Sequence, residues 1–259
     1  MPSDMNSIPK AASAALPAGS HACPHTAMVF AAGLGARMRP LTETTPKPLI
    51  KVGGKPLIDH MLDRFAAIGL PQAVVNVHYL AQQIKDHLAT RTEPHIIISD
   101  ESDLLLDQGG GIKRALPFLG KDPFFICNTD AFWIEGPHSN IERLARAWDP
   151  ERMDILLLIA ATTSSEGIDW PGDFTFQPDG RLKKREERFV APFVYAGVGI
   201  VKPELFMHEP RDVFPLSPYF FEAAAKDRLF GVRLDGIWLH VGTPEAIEVA
   251  ERKLVRSVL

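Results

Sequence analysis

Apolar residues along the chain fall into short continuous runs that alternate with helical stripes. AMVFAA at 27–32, AVVNV at 73–77, HIIIS at 95–99, PFFICN at 123–128 and DILLLIA at 154–160 are of strand length and show no period-two alternation, the pattern of strands buried on both faces. Between them, LIDHMLDRFAAIG at 57–69, AQQIKDHLA at 81–89, GGGIKRALPFL at 109–119 and SNIERLARAW at 139–148 carry apolar residues at the spacing of amphipathic helices. Strand and helix in turn predict an α/β fold, a largely parallel sheet with helices on both faces. After Thr162 the rhythm changes. WPGDFTFQPDGRLKKRE, with turn signals at Pro171 and Gly172 and again at Asp179 and Gly180, predicts short antiparallel strands in an insertion of about 162–192 on the sheet's working edge. FVYAGVGIV at 193–201 returns to strand character. A helix around 217–226, short strands at 230–234 and 237–241, and a closing helix from Pro244 to about Val255 follow. The expectation is one domain over 26–259, without an internal repeat.

Residues 1–25 stand apart from this pattern. Their longest apolar stretch is broken by Pro17, so no secretory core forms, and no run in the chain approaches the ~18 apolar residues of a membrane span. They are read as a disordered N-terminal extension, or as a start chosen upstream of Met28. A net charge of −4 and a pI near 6.1 offer no global attraction to nucleic acid or an anionic membrane, so any phosphate recognition must be local. The two cysteines, Cys23 and Cys127, build neither a disulfide framework nor a zinc site and are read as reduced thiols of a cytoplasmic protein.

The chemistry is concentrated in AAGLGARMRPLTETTPKPL at 31–49. Gly33 and Gly35 follow the first buried strand, where a tight turn lets backbone N–H groups approach an anion. Two glycines alone are a weak signal, and the third glycine of a dinucleotide fingerprint is missing. The basic set that follows, Arg37, Arg39 and Lys47, sharpens it. Lys47 sits between Pro46 and Pro48 in a TPKPL segment expected to be stiff and non-helical. Farther on, DLLLDQGGGI at 103–112 places three glycines at a helix start, and Asp130 in ICNTDAFW lies just past the carboxyl end of a buried strand, where open α/β sheets bind ligands.

As a whole, the string at 31–49 resembles the signature of the sugar-1-phosphate nucleotidyltransferases. The resemblance runs over most of the chain from Ala27 and comes nearest to N-acetylmuramate-1-phosphate uridylyltransferases and mannose-1-phosphate guanylyltransferase-like proteins. It implies the nucleotide-diphospho-sugar transferase fold, a Rossmann-like three-layer αβα sandwich with a mixed, mostly parallel central sheet. It also implies that Ala32, Gly33, Leu34 and Gly35 wrap a triphosphate contacted by Arg37 and Lys47, and that Gln108, Gly109 and Gly110 hold base and ribose, with Glu101 in support. Arg39 lies in the motif without an assigned role. Asp130 matches an aspartate that binds Mg²⁺ between the reacting phosphates, and Asn128 would orient the incoming groups.

GIWLHVGTPEA at 236–246 resembles an element whose aspartate commonly supplies a second metal ligand. Here that position is His240, which either ligates the metal and admits Mn²⁺ beside Mg²⁺, or leaves one aspartate with water and phosphate oxygens to complete the shell. For the sugar, the resemblance points to Gly172, Asp173, Tyr195, Ala196 and Gly197. The charge run KKREER at 183–188 reads as a solvated hairpin face from which Lys183, Lys184 or Arg185 would reach the sugar phosphate. His78 and Tyr79 stand between the nucleoside side of the cleft and simple packing. The implied reaction joins a sugar 1-phosphate and a nucleoside triphosphate, giving a nucleotide sugar and pyrophosphate as in nucleotide-sugar synthesis and peptidoglycan recycling. N-acetylmuramate 1-phosphate with UTP is favoured and mannose 1-phosphate with GTP comes next. A catalytically silent nucleotide-sugar-binding regulator is the alternative of another class. No nucleic-acid or membrane partner is expected, and the oligomeric state is not readable.

Overall fold

The computed structural model describes residues 23–258, so the expected extension, up to residue 22, lies outside the described residues. The chain opens with β1 (Thr26–Phe30), the glycine loop and its following turns, and a ribbon of β2 (Lys51–Val52) and β3 (Lys55–Pro56). There follow α1 (Leu57–Ala67), β4 (Gln72–Val77), α2 (Ala81–Leu88), β5 (His95–Asp100), α3 (Asp107–Leu119), β6 (Phe124–Asn128), β7 (Ala131–Glu135) and α4 (Asn140–Ala147). The second half carries β8 (Ile155–Ala161), β9 (Phe174–Phe176), β10 (Leu182–Lys184), β11 (Phe193–Val201), α5 (Ser217–Ala225), β12 (Leu229–Arg233), β13 (Gly236–His240) and α6 (Pro244–Val258).

Nine strands form the main sheet. β6, β1, β4 and β5 lie side by side in parallel, and β11 runs antiparallel between β6 and β8, which in turn pairs in parallel with β12. The sheet is therefore mixed and mostly parallel, as expected. Alternation along each strand splits the core in two. Val29, Val75, Phe125, Cys127, Leu158 and Val198 face one layer with Phe65 of α1, Ile84 of α2 and Leu144 of α4. Met28, Val74, Ile126, Leu157 and Val201 face the other with Ile112 of α3 and Phe220 of α5. Every residue of β8 is buried, which explains its unbroken apolar run. Each large side chain taken fully out of water in these layers, such as Phe65 or Phe125, favours the fold by about 1.5–3 kcal/mol.

One feature departs from the pattern of the sequence, and another agrees with it. β7 follows directly on Asp130 and pairs antiparallel with β13, a small second sheet that the sequence pattern did not announce. With β2, β3 and α6 it encloses a third cluster of Met38, Ile50, Val52, Leu57, Phe132, Leu239, Val241 and Ala250. Within the insertion, β9 and β10 do pair antiparallel around the Asp179 and Gly180 turn, and Phe174 joins them to Phe193 of β11. Among the described residues, no helix is long and apolar enough to cross a membrane.

Candidate active site

At the carboxyl ends of β1, β4, β5 and β6 the parallel strands open onto a cavity of about 610 Å³, in the range of small-molecule sites. Its wall includes Ala32, Gly33, Leu34, Gly35 and Arg37 from the loop after β1, Lys47, Gln108 from α3, and Asn128 and Asp130 from the end of β6. Residues 97 positions apart in sequence thus meet because parallel strands end on the same edge.

The loop after β1 is shaped by Gly35, whose φ of 63° lies in the left-handed region. A side chain there would meet Thr42 Cγ2 at 2.8 Å, and the buried Thr42 hydroxyl donates to the Gly35 carbonyl at 2.8 Å. A short 3₁₀ turn over Ala36–Met38 then drops Met38 into the third apolar cluster. That leaves Arg37 exposed on the cavity rim. Arg39 is exposed outside the lining. TPKPL differs from its expected non-helical form: Lys47–Leu49 make a 3₁₀ turn, with Leu49 N–H donating to Pro46 and Ile50 N–H to Lys47. Proline is tolerated because Pro48 occupies a first-turn position that needs no N–H donor.

Lys47 Nζ donates to Asp130 Oδ2 at 2.6 Å, with both side chains largely covered. The two residues expected to handle phosphate and metal are therefore paired with each other. On the opposite wall Gln108 Nε2 donates to Asn128 Oδ1 at 2.8 Å, tying α3 to β6, and the Thr129 hydroxyl donates to the Phe30 carbonyl at 3.0 Å. Tyr79 braces the phosphate-loop segment through its hydroxyl on the Thr42 carbonyl at 2.9 Å, and His78 Nδ1 meets the Glu101 carbonyl at 2.6 Å.

Gly109 and Gly110, the glycines expected at the nucleoside, are packed against the segment around residues 212–214. Both are buried outside the cavity lining, and both N–H groups donate to the Phe214 carbonyl, at 3.0 and 3.2 Å. A side chain on Gly109 would overlap the Phe214 ring, and one on Gly110 the Asp212 carbonyl oxygen. The glycines let the segment around residues 212–214 lie directly on α3, which carries Val213 onto the cavity wall.

The sugar-side candidates also lie outside this cavity. Gly172 has φ 82° against Ala191, and Gly197, at φ 86°, sits where the β11–β8 register shifts between Tyr195 and Gly199. The Asp173 carboxylate accepts from Tyr195 N–H at 2.9 Å and Trp170 Nε1 at 3.2 Å, and burial raises its pKa. Arg185 is engaged with the carbonyls of Gly172, Glu186 and Phe189, and Lys184 Nζ lies 4.0 Å over the Phe221 ring. Lys183 is exposed. These contacts organise the insertion, whose Glu166 bridges to Leu239 of β13.

His240 pairs with Ala131 across β13 and β7, one residue after Asp130. Its ring stacks on Trp238 at 5.6 Å and meets Trp170 edge-on at 5.4 Å. Burial lowers its pKa, which favours the neutral imidazole; the charge of Asp130 opposes this. Among the described residues, no group of three or more His, Cys, Asp and Glu side chains is placed to hold a metal ion by itself. A single hard carboxylate on a wall that admits phosphate oxygens and water nonetheless suits Mg²⁺, which takes few protein ligands.

Pattern reading passed over Asn76, Leu105, Asp107, Thr129, Val213 and Gly242 as cavity residues. Asn76 carries a visible signal as the one polar residue in AVVNV. Val213 lies in an irregular stretch with no period to mark it.

A MobA-like NTP transferase domain matches residues 27–197. The chain is 47% identical over 238 residues to an N-acetylmuramate alpha-1-phosphate uridylyltransferase of Caulobacter vibrioides, covering 90% of this chain and 98% of that one. It is 36% identical to the protein of the same name from Neisseria meningitidis, covering 84% and 93%. A crystal structure of a UDP-glucose pyrophosphorylase complexed with UDP-glucose superposes with a TM-score of 0.74 at 15% identity, covering 90% and 98%, and shares the fold.

Proposed function

Given that the chain belongs to the MobA-like NTP transferase domain family, we propose that it transfers the uridylyl group of UTP to N-acetylmuramate 1-phosphate and releases pyrophosphate. Sugar-1-phosphate nucleotidyltransfer is the activity of this enzyme; the base, sugar and metal are the proposal. The observation that carries it is one cavity lined by the glycine loop, Arg37, the Lys47–Asp130 pair and the Gln108–Asn128 pair, in a chain 47% identical over nearly its full length to a uridylyltransferase of that name.

In this reading a phosphate oxygen of the sugar 1-phosphate attacks the α-phosphorus in line and pyrophosphate leaves. The nucleophile is ionised at neutral pH, so the protein's task is to align two polyanions and offset their repulsion. The loop from Ala32 to Gly35 cradles the triphosphate, and Arg37 and Lys47 neutralise charge on the α-phosphate and the leaving pyrophosphate. Lys47 exchanges Asp130 for phosphate when the nucleotide binds, freeing the carboxylate. Asp130 would hold Mg²⁺, which polarises phosphoryl oxygens when bound. The second ligand position goes to His240, and a His240→Ala variant with unchanged Mg²⁺ and Mn²⁺ dependence removes it from the set. Gln108 and Asn128 hold the nucleoside side and the incoming sugar phosphate. Asp173 and Gly172 act on the sugar by shaping the insertion, and Gly197 by shifting the register of β11 beside it. UTP is an intracellular substrate, so the activity belongs in the cytoplasm.

The test is pyrophosphate release with UTP, GTP, ATP and CTP against N-acetylmuramate, mannose, glucose and N-acetylglucosamine 1-phosphates, in Mg²⁺ and in Mn²⁺. Turnover confined to UTP and the muramate substrate is expected. Activity only with GTP and mannose 1-phosphate overturns the substrate assignment, and nucleotide binding without pyrophosphate under either metal favours a regulatory protein.

A further inference from the structure

The phosphate loop leaves the sheet at Ala31, just where strand pairing stops supplying partners. Phe30 is the last residue of β1 in register, facing Asn76 on β4 and Asn128 on β6. The next N–H, that of the buried Ala31, has no strand to pair with, and a buried amide left alone is costly. Asn76 Oδ1 accepts it at 2.8 Å. Asn76 is itself only 3% exposed, and its Nδ2 donates at 2.9 Å to Oε1 of the fully buried Glu101 just past β5. Glu101 N–H donates to the Val77 carbonyl at 2.8 Å. On α3, a side chain at Gly111 would press against Asn76 Nδ2 and Glu101 Oε1, each at 2.8 Å.

This places an amide side chain between a donor that only its oxygen can serve and a carboxylate that only its nitrogen can serve, so its orientation is determined at both ends. Both Asn76 and Glu101 lie on the cavity wall. We propose that Asn76 is a positioning residue for nucleotidyl transfer: by bridging the Ala31 N–H to the Glu101 carboxylate it fixes the root of the phosphate loop to the β5–α3 side of the cavity, so that both walls engage one nucleotide together. Its kinetic consequence rests on the nucleotidyltransfer reading; the bridge itself does not.

The experiment compares wild type, Asn76→Ala, Asn76→Asp, Glu101→Gln and the exchanged pair Asn76→Asp with Glu101→Gln. Asn76→Asp still accepts the Ala31 N–H but turns a carboxylate toward Glu101. In the exchanged pair, the aspartate accepts from both Ala31 and the glutamine amide. KM for UTP is expected to rise about 10- to 100-fold in each Asn76 single variant, through two buried groups left unpaired in Asn76→Ala and two carboxylates set against each other in Asn76→Asp. KM for the sugar 1-phosphate stays within about twofold. The exchanged pair returns to within about threefold of Glu101→Gln alone. If Asn76→Asp does not fold, Asn76→Ala and the exchanged pair decide. Wild-type KM for UTP in Asn76→Ala, or a folded exchanged pair no better than Asn76→Asp, overturns the proposal. Amide hydrogen exchange at Ala31 is the readout independent of turnover. It should be slow in wild type and faster in Asn76→Ala while Val29 is unchanged, and equal exchange at Ala31 in both overturns the bridge. A wild type without pyrophosphate release would instead overturn the nucleotidyltransfer reading.

Discussion

Gly110→Ala separates two explanations of the glycine triplet, one in which glycine is needed for packing and one in which it is needed only for nucleotide approach. The added methyl overlaps the Asp212 carbonyl oxygen and lies 3.0 Å from Leu106 Cβ. Asp212 contributes a backbone atom, so no rotamer change relieves the contact and the segment around residues 212–214 must lift off α3. Three backbone hydrogen bonds hold it there: Gly109 and Gly110 N–H to Phe214 O at 3.0 and 3.2 Å, and Phe214 N–H to Leu106 O at 3.2 Å. At about 1 kcal/mol each, their loss costs about 3 kcal/mol. Replacing glycine by alanine inside a helix returns about 1 kcal/mol. The net is about 2 kcal/mol, which for a domain of this size lowers Tm by about 4–8 °C. Thermal unfolding of the unliganded protein measures it, followed by titration with UTP. A Tm equal to wild type without nucleotide, together with a raised KM for UTP, would refute the packing account.

Other outcomes follow from the same geometry. Lys47→Met and Asp130→Asn each break the 2.6 Å ion pair, and both should lower kcat by about 10²–10³-fold in a pyrophosphate-release assay; near-normal turnover of Asp130→Asn in Mg²⁺ removes Asp130 from the reaction. Met38→Ala empties a fully buried site in the third cluster. It should cost about 2–5 kcal/mol in denaturant unfolding and, by loosening the phosphate loop, raise KM for UTP. At the sheet edge away from the cavity, burial would raise the Asp154 pKa, but hydrogen bonds from Arg228 at 2.9 Å and Lys202 at 3.2 Å outweigh it and hold the carboxyl below its ordinary value. A depressed carboxylate stabilises the fold above its unfolded pKa of about 3.9, and that contribution fades as pH falls through the lower folded value. The Tm difference between wild type and Asp154→Asn should therefore be largest above about pH 5 and close in stronger acid; a difference independent of pH contradicts the pairing.

The sequence by itself determined the layers and the glycine loop after β1. Unbroken apolar runs such as ILLLIAA can exist only where both faces of a strand are covered, and helical stripes between them leave a helix-flanked sheet as the solution. Gly35 and the basic residues after it were legible because they are local: a positive φ and a charge at fixed spacing are written in neighbouring positions. Tertiary structure decided what depends on distant partners. Lys47 pairs with Asp130 across 83 positions, Asn76 serves Ala31 across 45, and Phe214 claims the amides of Gly109 and Gly110. β7 exists because β13 returns to pair with it, a short strand whose stability comes from its partner rather than its own pattern. A glycine triplet reads the same in sequence whether a ligand or a carbonyl lies against it, because a missing side chain records only that something comes close, and the folded chain alone says what.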